Sequence, residues 1–243
     1  MSKTNLIQEK EEITEINKIF KVLMHFPGST FSDLWDKKIE SNKFTYYLKK
    51  MEKDELIEKK DGKYFLTLNG KSIATTISGE TGQNKKRPYL ALLLIIKKND
   101  NYILYHRMKE PYYGNCGFPG AKVDFGEEVL ESATRELKEE TGLEGNGKIV
   151  AVQNALTINN GKVFGHMTQF FVLFENPTGE LITESREGIY EWAKKEKILS
   201  QKNLFPDVAK AIQIVENKTF VIHETKLIQK DEKFKNATFT NIL

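Results

Sequence analysis

A glycine-bearing loop that runs into an acidic helix is the feature that most constrains how this chain can fold. Residues 120–143 read GAKVDFGEEVLESATRELKEETGL. Glu136, Glu139 and Glu140 are spaced i, i+3, i+4, so a helix places their carboxylates on one face. Like charges at this spacing repel, and hard divalent cations prefer carboxylate oxygens. The stretch therefore predicts a helix with a cation site on one face.

The same helix has an apolar side and a signal at each end. Asp124 or Gly126 is expected to start it, and Gly142 followed by Leu143 predicts a left-handed cap with a hydrophobic contact. A core-facing stripe at i, i+3, i+7 is predicted for Leu130, Ala133 and Leu137.

These residues resemble the Nudix box, whose pattern is Gly-x5-Glu-x7-Arg-Glu-apolar-x-Glu-Glu-x-Gly-apolar. Ala121 replaces the leading glycine, and alanine resists backbone conformations that are open to glycine. The other fixed positions match and are Glu127, Arg135, Glu136, Leu137, Glu139, Glu140, Gly142 and Leu143.

The resemblance implies an α/β fold, the Nudix α/β/α sandwich, and Mg²⁺- or Mn²⁺-dependent hydrolysis of a pyrophosphate bond. It implies that Glu136 and Glu140 are metal ligands, that Glu139 is a ligand or a base, and that the carbonyl of Gly120 is a further ligand. Many family members recruit another glutamate from a later loop. Here Glu187 is the expected residue, with a solvated loop charge as the alternative and Glu191 less favoured.

Charged residues around the box have supporting roles in this interpretation. Arg135 lies four residues from both Glu131 and Glu139 and eight from Glu127, so Arg135 and Glu127 are expected to orient the loop and helix by ion pairing. Lys122 is placed to reach a substrate phosphate. Base stacking is considered for four aromatic residues, although strand aromatics more often belong to a core: Tyr102, Phe118, Phe164 and Phe170.

The first 79 residues have the pattern of a second, smaller domain. Helical periods over residues 13–26, after Ser29 or Thr30, and from Ser41 are followed by a hairpin around Asp61-Gly62 and a helix over residues 71–77. This order resembles an N-terminal winged helix-turn-helix domain. If it binds DNA, the contacting residues are expected to be Lys43, Thr45, Tyr46, Lys49, Lys50, Lys59, Lys60 and Lys63. The alternatives are a solvated basic face and a module for homodimerisation or partner docking.

The remaining boundaries follow from composition and periodicity. We predict a linker over residues 80–88, the Nudix domain over residues 89–217, and an extension over residues 218–243 that forms a hairpin. Strands are expected near residues 89–96, 149–158, 162–174 and 189–192, with a helix beginning at Pro206.

Composition limits location and partners. Cys116 is the single cysteine, and the sequence has neither a membrane-length apolar run nor a signal peptide, so the expected location is the cytoplasm without membrane contact. A net charge of +3 is too small to identify a nucleic-acid-binding protein.

Two functions remain open at this point. The first is a nucleotide pyrophosphohydrolase, with a nucleoside triphosphate or its oxidised form as the default substrate. The second is a transcription regulator in which the Nudix domain senses a nucleotide and the winged helix binds DNA. An acidic helix without metal, and a Nudix fold retained for binding alone, are further alternatives.

Overall fold

The structure is a computed structural model that describes residues 3–81, 86–231 and 233–243. The chain divides into two compact units, Met1–Lys86 and Arg87–Leu243. This division lies within the predicted linker of residues 80–88, of which residues 82–85 are outside the described residues. Each unit has its own buried core.

The first unit combines four helices with a small antiparallel sheet. Its strands are ordered β1–β3–β2. The elements are α1 (Lys3–His25), β1 (Ser29–Thr30), α2 (Phe31–Leu34), α3 (Ser41–Lys53), β2 (Ile57–Lys60), β3 (Lys63–Leu66) and α4 (Leu68–Ala74).

The predicted third helix and hairpin are confirmed. Helix α3 buries Phe44, Tyr47, Leu48 and Met51, the four residues expected on its inner side. Asp61 and Gly62 link β2 to β3 with φ angles of +50° and +75°, as a two-residue hairpin turn of type I′ requires.

The last helix of this unit begins earlier than predicted, at Leu68 rather than near Lys71. The Thr67 hydroxyl accepts a hydrogen bond from the Gly70 N–H at 3.0 Å and caps the helix. Gly70 therefore lies inside the helix instead of preceding it. A Cβ at Gly70 would stand 1.9 Å from the Leu56 carbonyl oxygen, so this close approach requires glycine.

The second unit is built on one nine-stranded mixed sheet. The strands are β4 (Tyr89–Lys98), β5 (Asn101–Arg107), β6 (Cys116–Gly117), β7 (Gly120–Lys122), β8 (Gly147–Asn159), β9 (Lys162–Glu175), β10 (Gly188–Lys194), β11 (Val221–Lys230) and β12 (Lys233–Asn241). The helices are α5 (Val129–Thr141), α6 (Lys195–Leu199) and α7 (Val208–Asn217).

The sheet has the order β10–β5–β4–β9–β8–β11–β12, with β6 beside β5 and β7 beside β4. The β4–β9 and β8–β11 pairs are parallel. Side chains of α5 pack on one sheet face with Leu92, Leu94 and Ile96, whereas α6 and α7 pack on the other with Leu93 and Ile95. The second unit is therefore an α/β/α sandwich, because alternate residues of β4 enter two separate cores.

The C-terminal hairpin belongs to this sheet. Strand β11 pairs with β8 from Val221 to Gln229, and β12 covers its other edge. The predicted turn between β8 and β9 is also present, with φ angles of +48° at Asn160 and +75° at Gly161. Within the described residues, every helix is too short or too polar to cross a membrane.

Candidate active site

Helix α5 is fixed by different signals at its two ends. It begins at Val129 with Glu128 as N-cap, so the predicted starts at Asp124 and Gly126 are wrong. The Glu131 carboxylate accepts a hydrogen bond from the Glu128 N–H at 3.3 Å, which satisfies a helix-terminal donor. At the other end, Gly142 has a φ angle of +73° and its N–H donates to the Lys138 carbonyl, confirming the predicted left-handed cap.

The apolar side of α5 matches the prediction only in part. Ala133 and Leu137 are fully buried, but Leu130 is 42% exposed, so its predicted place in the core is wrong. Leu130 is the second residue of the helix, and the buried stripe begins one turn later at Ala133. Glu136 and Glu140 lie three residues after Ala133 and Leu137, so both carboxylates flank the stripe and are partly buried.

Arg135 donates hydrogen bonds to several of the surrounding carboxylates. Its Nε and Nη2 atoms each lie 2.9 Å from the Glu127 carboxylate, a bidentate pair. Its Nη1 donates to Glu136 at 2.8 Å and to Glu139 at 3.1 Å. The bidentate pair with Arg135 and a hydrogen bond from the Ser132 hydroxyl lower the pKa of Glu127 to about 2. The expected pair with Glu131 is absent among the described contacts, because Glu131 caps the helix instead.

Glu140 has the opposite environment. Burial raises the pKa of Glu140 to about 8, and the negative charges of Glu136 and Glu187 add to the rise. The positive charges of Lys109 and Arg107 oppose it only in part. Glu140 is therefore a desolvated carboxylate in a field of like charge.

The loop that carries Glu187 reaches this carboxylate through pairing of β10 with β5. Gly188 lies opposite Arg107, and the Glu187 carbonyl accepts hydrogen bonds from the Met108 N–H and the Tyr105 hydroxyl, both at 2.9 Å. The Glu187 carboxylate forms an ion pair with Lys109. Glu191 instead pairs with Lys197 at 2.6 Å and with His106 at 3.3 Å.

Sequence reasoning missed the cations and tyrosines beside Glu140. The Nε atom of Arg107 donates to the Pro111 carbonyl at 2.6 Å. Lys109 lies two residues after Arg107. The rings of Tyr105 and Tyr190 stack at 5.1 Å, and burial raises the pKa of each, with the Glu140 charge contributing. No local pattern signals these residues, since the pairing of β5 with β10 brings them together.

Residues 120–122 show how alanine is accommodated at the first box position. Ala121 lies in strand β7 opposite Leu92, and Gly120 lies opposite Leu93. Ala121 does not have a positive φ angle, so its Cβ imposes no backbone strain. Gly126, in contrast, has a φ angle of +95° and needs glycine. The Lys122 ammonium lies 5.7 Å from the centroid of the Tyr89 ring.

Comparison with known protein families decides the assignment of this unit. The model of the NUDIX domain matches residues 86–214, slightly more than half of the chain. The chain belongs to the NUDIX family. The match includes the loop, helix α5 and the Glu187 loop, and it ends before hairpin β11–β12.

Two curated relatives are similar to parts of this NUDIX chain. An ADP-ribose pyrophosphatase from Methanocaldococcus jannaschii is 40% identical over 87 residues, which are 34% of this chain and 52% of the relative. An uncharacterized Nudix hydrolase, YvcI, from Bacillus subtilis is 27% identical over 99 residues, 40% of this chain and 61% of the relative. The chain thus spans between half and two thirds of the length of these relatives.

A solved structure supports the fold. The crystal structure of a MutT protein from Bacillus halodurans superimposes with a TM-score of 0.54 at 22% identity, covering 62% of this chain and 97% of that one. At this identity the likeness concerns the fold alone.

A divalent cation fits the NUDIX site by donor chemistry. In the part of the chain that the structure describes, no three acidic, histidine or cysteine side chains are gathered closely enough to enclose a metal ion. The donors are nevertheless carboxylates, which divalent cations prefer. Burial raises the pKa of Glu140, and the charges of Glu136 and Glu187 add to the rise, so a cation here would be stabilising. Arg135 contacts one oxygen each of Glu136 and Glu139, so their other oxygens remain available to a cation.

The aromatic residues considered for base stacking have different locations. Tyr102 and Phe118 are buried in the core on the α7 side, and Phe170 packs against the core on the α5 side. Phe164 is exposed for about half of its surface and contacts Tyr112. Of the four, only Phe164 combines exposure with an aromatic neighbour.

The residues proposed for DNA contact lie on α3 and on the hairpin of the first unit. Lys43, Tyr46 and Lys49 are exposed on α3, where Thr45 and Lys50 are partly exposed. On the hairpin, Lys59, Lys60 and Lys63 are exposed. Lys60 pairs with Glu58 at 2.7 Å, and the Lys59 ammonium lies over the Tyr64 ring. Winged-helix character and DNA binding stay predictions.

Proposed function

We propose that this NUDIX chain hydrolyses the pyrophosphate bond of a nucleoside diphosphate linked to another group, with Mg²⁺ or Mn²⁺ as cofactor. The observation that supports this most is Glu140. It is a partly buried carboxylate whose pKa is raised to about 8, with the charges of Glu136 and Glu187 acting on it. A bound divalent cation would relieve that concentration of negative charge, polarise phosphoryl oxygens and lower the pKa of a coordinated water.

The proposed roles combine the Nudix resemblance with the contacts of each residue. Glu136, Glu139 and Glu140, with the Gly120 carbonyl, would hold the cation. Glu187 is the candidate base, and its ion pair with Lys109 orients the carboxylate. Arg135 and Glu127 hold the loop against the helix. Arg107, Lys109 and Lys122 are cations suited to orient substrate phosphates.

The relative from M. jannaschii makes ADP-ribose the first substrate to test, because its name states that activity. Nucleoside triphosphates and their oxidised forms stay in the panel as the default of the sequence interpretation. The first proline after the box is Pro177, which differs from the usual ADP-ribose pattern, so the panel needs both kinds of compound.

The test measures hydrolysis of the pyrophosphate bond in each compound of this panel, with Mg²⁺, with Mn²⁺ and with a chelator. We expect Glu140→Gln to lower kcat/KM at least about 100-fold, because a neutral amide would hold the divalent cation poorly. Glu144→Gln is the matched control, since Glu144 is exposed and pairs with Lys138. Full metal-dependent turnover in Glu140→Gln would contradict the proposal.

A second candidate is a nucleotide-sensing transcription regulator. It is favoured by the exposed lysines and Tyr46 on α3 and the lysine-bearing hairpin that follows it. In this function the NUDIX unit binds the nucleotide and the first unit contacts DNA. The alternative role of the first unit is homodimerisation.

A gel shift against the DNA upstream of the protein's own gene tests this candidate. We expect Lys49→Glu to abolish a shift that a nucleotide modulates, and Lys21→Glu, at an exposed position of α1, to leave it intact. Dimers that disappear when residues 1–80 are deleted, with no DNA binding by the full chain, would favour dimerisation instead.

A further inference from the structure

Glu187, the candidate base, has a fixed main chain and a carboxylate with a single charged partner. Its N–H donates to the Ser185 hydroxyl at 3.1 Å, and its carbonyl accepts from the Met108 N–H and the Tyr105 hydroxyl, both at 2.9 Å. Among the described residues, the Glu187 carboxylate forms one ion pair, with the Lys109 ammonium. The main-chain bonds therefore set where Glu187 lies, and Lys109 sets whether its carboxylate is occupied.

Glu191 on the following strand shows the contrasting arrangement. Its carboxylate contacts both Lys197, at 2.6 Å, and His106, at 3.3 Å. Loss of one of these contacts leaves the other in place. Glu187 has no second ion-pair partner in the part of the chain that the structure describes, so departure of Lys109 would leave its carboxylate unpaired.

The Lys109 side chain is mobile enough to leave, because the turn that carries it is held by another residue. Arg107 donates through Nε to the Pro111 carbonyl at 2.6 Å and through Nη2 to the Glu110 carbonyl at 3.4 Å. The Lys109 ammonium is at the end of a flexible four-carbon stem. The side chains of Lys109 and Glu187 are 39% and 38% exposed, and ion pairs with such exposure are weak. The ammonium can therefore exchange Glu187 for a stronger anion without disturbing the turn.

The same ammonium acts on the acidic face of α5. Burial and the charges of Glu136 and Glu187 raise the pKa of Glu140, and the Lys109 charge opposes this rise. Phosphates of a substrate bound at Glu140 would thus lie within the field of Lys109. A pyrophosphate group carries more negative charge than one carboxylate, so it is the stronger partner for the ammonium. Glu187 and the substrate compete for one cation.

We propose that Lys109 is a latch: it holds the Glu187 carboxylate in the empty site, and it moves to a phosphate when substrate binds, which frees Glu187 to act as the base. This rests on the proposed function, which supplies the role of Glu187 and the phosphates of the substrate. The latch makes the base available only when the site is occupied. Because linkage is reciprocal, removing the Glu187 charge should release Lys109 and strengthen phosphate binding.

Calorimetric titration of the full chain with inorganic imidodiphosphate in the presence of a chelator tests the latch, because neither metal binding nor turnover enters the measurement. We expect Glu187→Gln to bind about three- to fivefold more tightly than wild type, the factor that corresponds to loss of an exposed ion pair. In a Lys109→Met background the same change should tighten binding less than about twofold, because only the general effect of a removed charge is left. In a Lys109→Arg background the tightening should persist, since the positive charge is retained.

Glu216→Gln is the matched control. Glu216 is on α7, which packs on the sheet face opposite to α5, and it pairs with Lys195 at 2.6 Å with its side chain 44% exposed. Its removal breaks a comparable ion pair away from the acidic site, so the affinity for imidodiphosphate should equal that of wild type. All the variants change partly exposed side chains and should keep the Tm of wild type.

Kinetics provide a second signature with whichever compound of the substrate panel is hydrolysed. In the occupied site Lys109 contacts phosphate and Glu187 is already free, so we expect Lys109→Met to raise KM and to leave kcat within about threefold of wild type. A kcat that falls as far as in Glu187→Gln would show instead that Lys109 is a fixed support of the base, and would overturn the latch.

The binding outcomes separate this inference from the proposed function. Equal tightening by Glu187→Gln in the wild-type and Lys109→Met backgrounds, or no tightening in either, overturns the latch even if the chain hydrolyses nucleotides. Imidodiphosphate that binds to none of the proteins also overturns it, because Lys109 then attracts no phosphate. Tightening that depends on Lys109, found in a chain that hydrolyses no nucleotide, supports the exchange of Lys109 between Glu187 and phosphate and contradicts the enzyme.

Discussion

Arg135 and Glu140 show how single residues of one helix acquire opposite electrostatic roles. Arg135 is within ion-pair distance of Glu127, Glu136, Glu139 and Asp124, so it neutralises much of the acidic face. Glu140 is one turn further along, where burial and two other carboxylates raise its pKa. The spacing of the glutamates predicts a shared face, but only the tertiary neighbours distinguish the paired carboxylates from the uncompensated one.

A second buried carboxylate gives a pH-dependent prediction. Burial raises the pKa of Asp207 from 3.8 to about 6, so the folded state retains a proton that the unfolded state releases in that range. The Asp207 contribution to stability therefore falls as pH rises from 3.8 to 6. We expect Asp207→Asn to gain stability relative to wild type over this range, by at most about 3 kcal/mol.

Urea unfolding of both proteins at pH 4, 5, 6 and 7 checks this expectation. Burial lowers the pKa of His223 to about 4, so its contribution is lost as pH falls from 6.5 toward 4. That opposite trend occurs in both proteins and cancels in the difference. A stability difference that stays constant with pH would show that Asp207 is not protonated in the folded state.

At the scale of elements, local sequence patterns predict the interiors of helices and strands better than they predict where these elements begin. Helix α3, the β8–β9 turn and the Gly142 cap follow from periodicity and glycine placement. The predicted starts of α4 and α5 are wrong because Thr67 and Glu128 cap these helices. Leu130 fits the apolar period but lies in the first turn, before the helix reaches the core.

The end of α5 gives a prediction of its own. Gly142 has a φ angle of +73°, and a Cβ there would stand 2.8 Å from the Glu180 carbonyl oxygen. We expect Gly142→Ala to destabilise the protein by about 1–3 kcal/mol, because both the conformation and the contact are unfavourable. Gly145→Ala is the matched control, since its Cβ would meet Pro177 at an ordinary 3.5 Å. Equal Tm values for the two variants would contradict the argument.

At the scale of the whole molecule, the pairing of strands that are distant in sequence brings the site residues together, and local sequence patterns do not predict this pairing. The alternation of apolar and polar residues predicts strands near residues 189–192 and after residue 219, but it does not predict which strands they pair with. Glu187 comes near Glu140 because β10 pairs with β5, and Gln153 contacts Thr225 because β11 pairs with β8. The Nudix resemblance supplied the glutamates of α5, whereas Arg107, Lys109 and the hairpin residues required the structure.

Truncation after residue 218 tests the contribution of the hairpin. The deletion removes β11 and β12 and uncovers the edge of β8. It exposes Gln153 together with the core residues that pack against Val221 in the full chain. We expect a large loss of Tm and poor solubility, because an open edge beside apolar surface favours aggregation. A soluble truncated protein with the Tm of the full chain would show that the hairpin is peripheral to the fold.

The parallel pair of β8 and β11 also bears on how the protein is made. Strand β9 can fold back on β8 as soon as both leave the ribosome, but β11 follows only after β10, α6 and α7. Until then β8 has hydrogen-bonding groups on its outer edge without their final partner. A nascent chain stalled before β11 should therefore be a chaperone client, and it should lose that property once the hairpin has been synthesised.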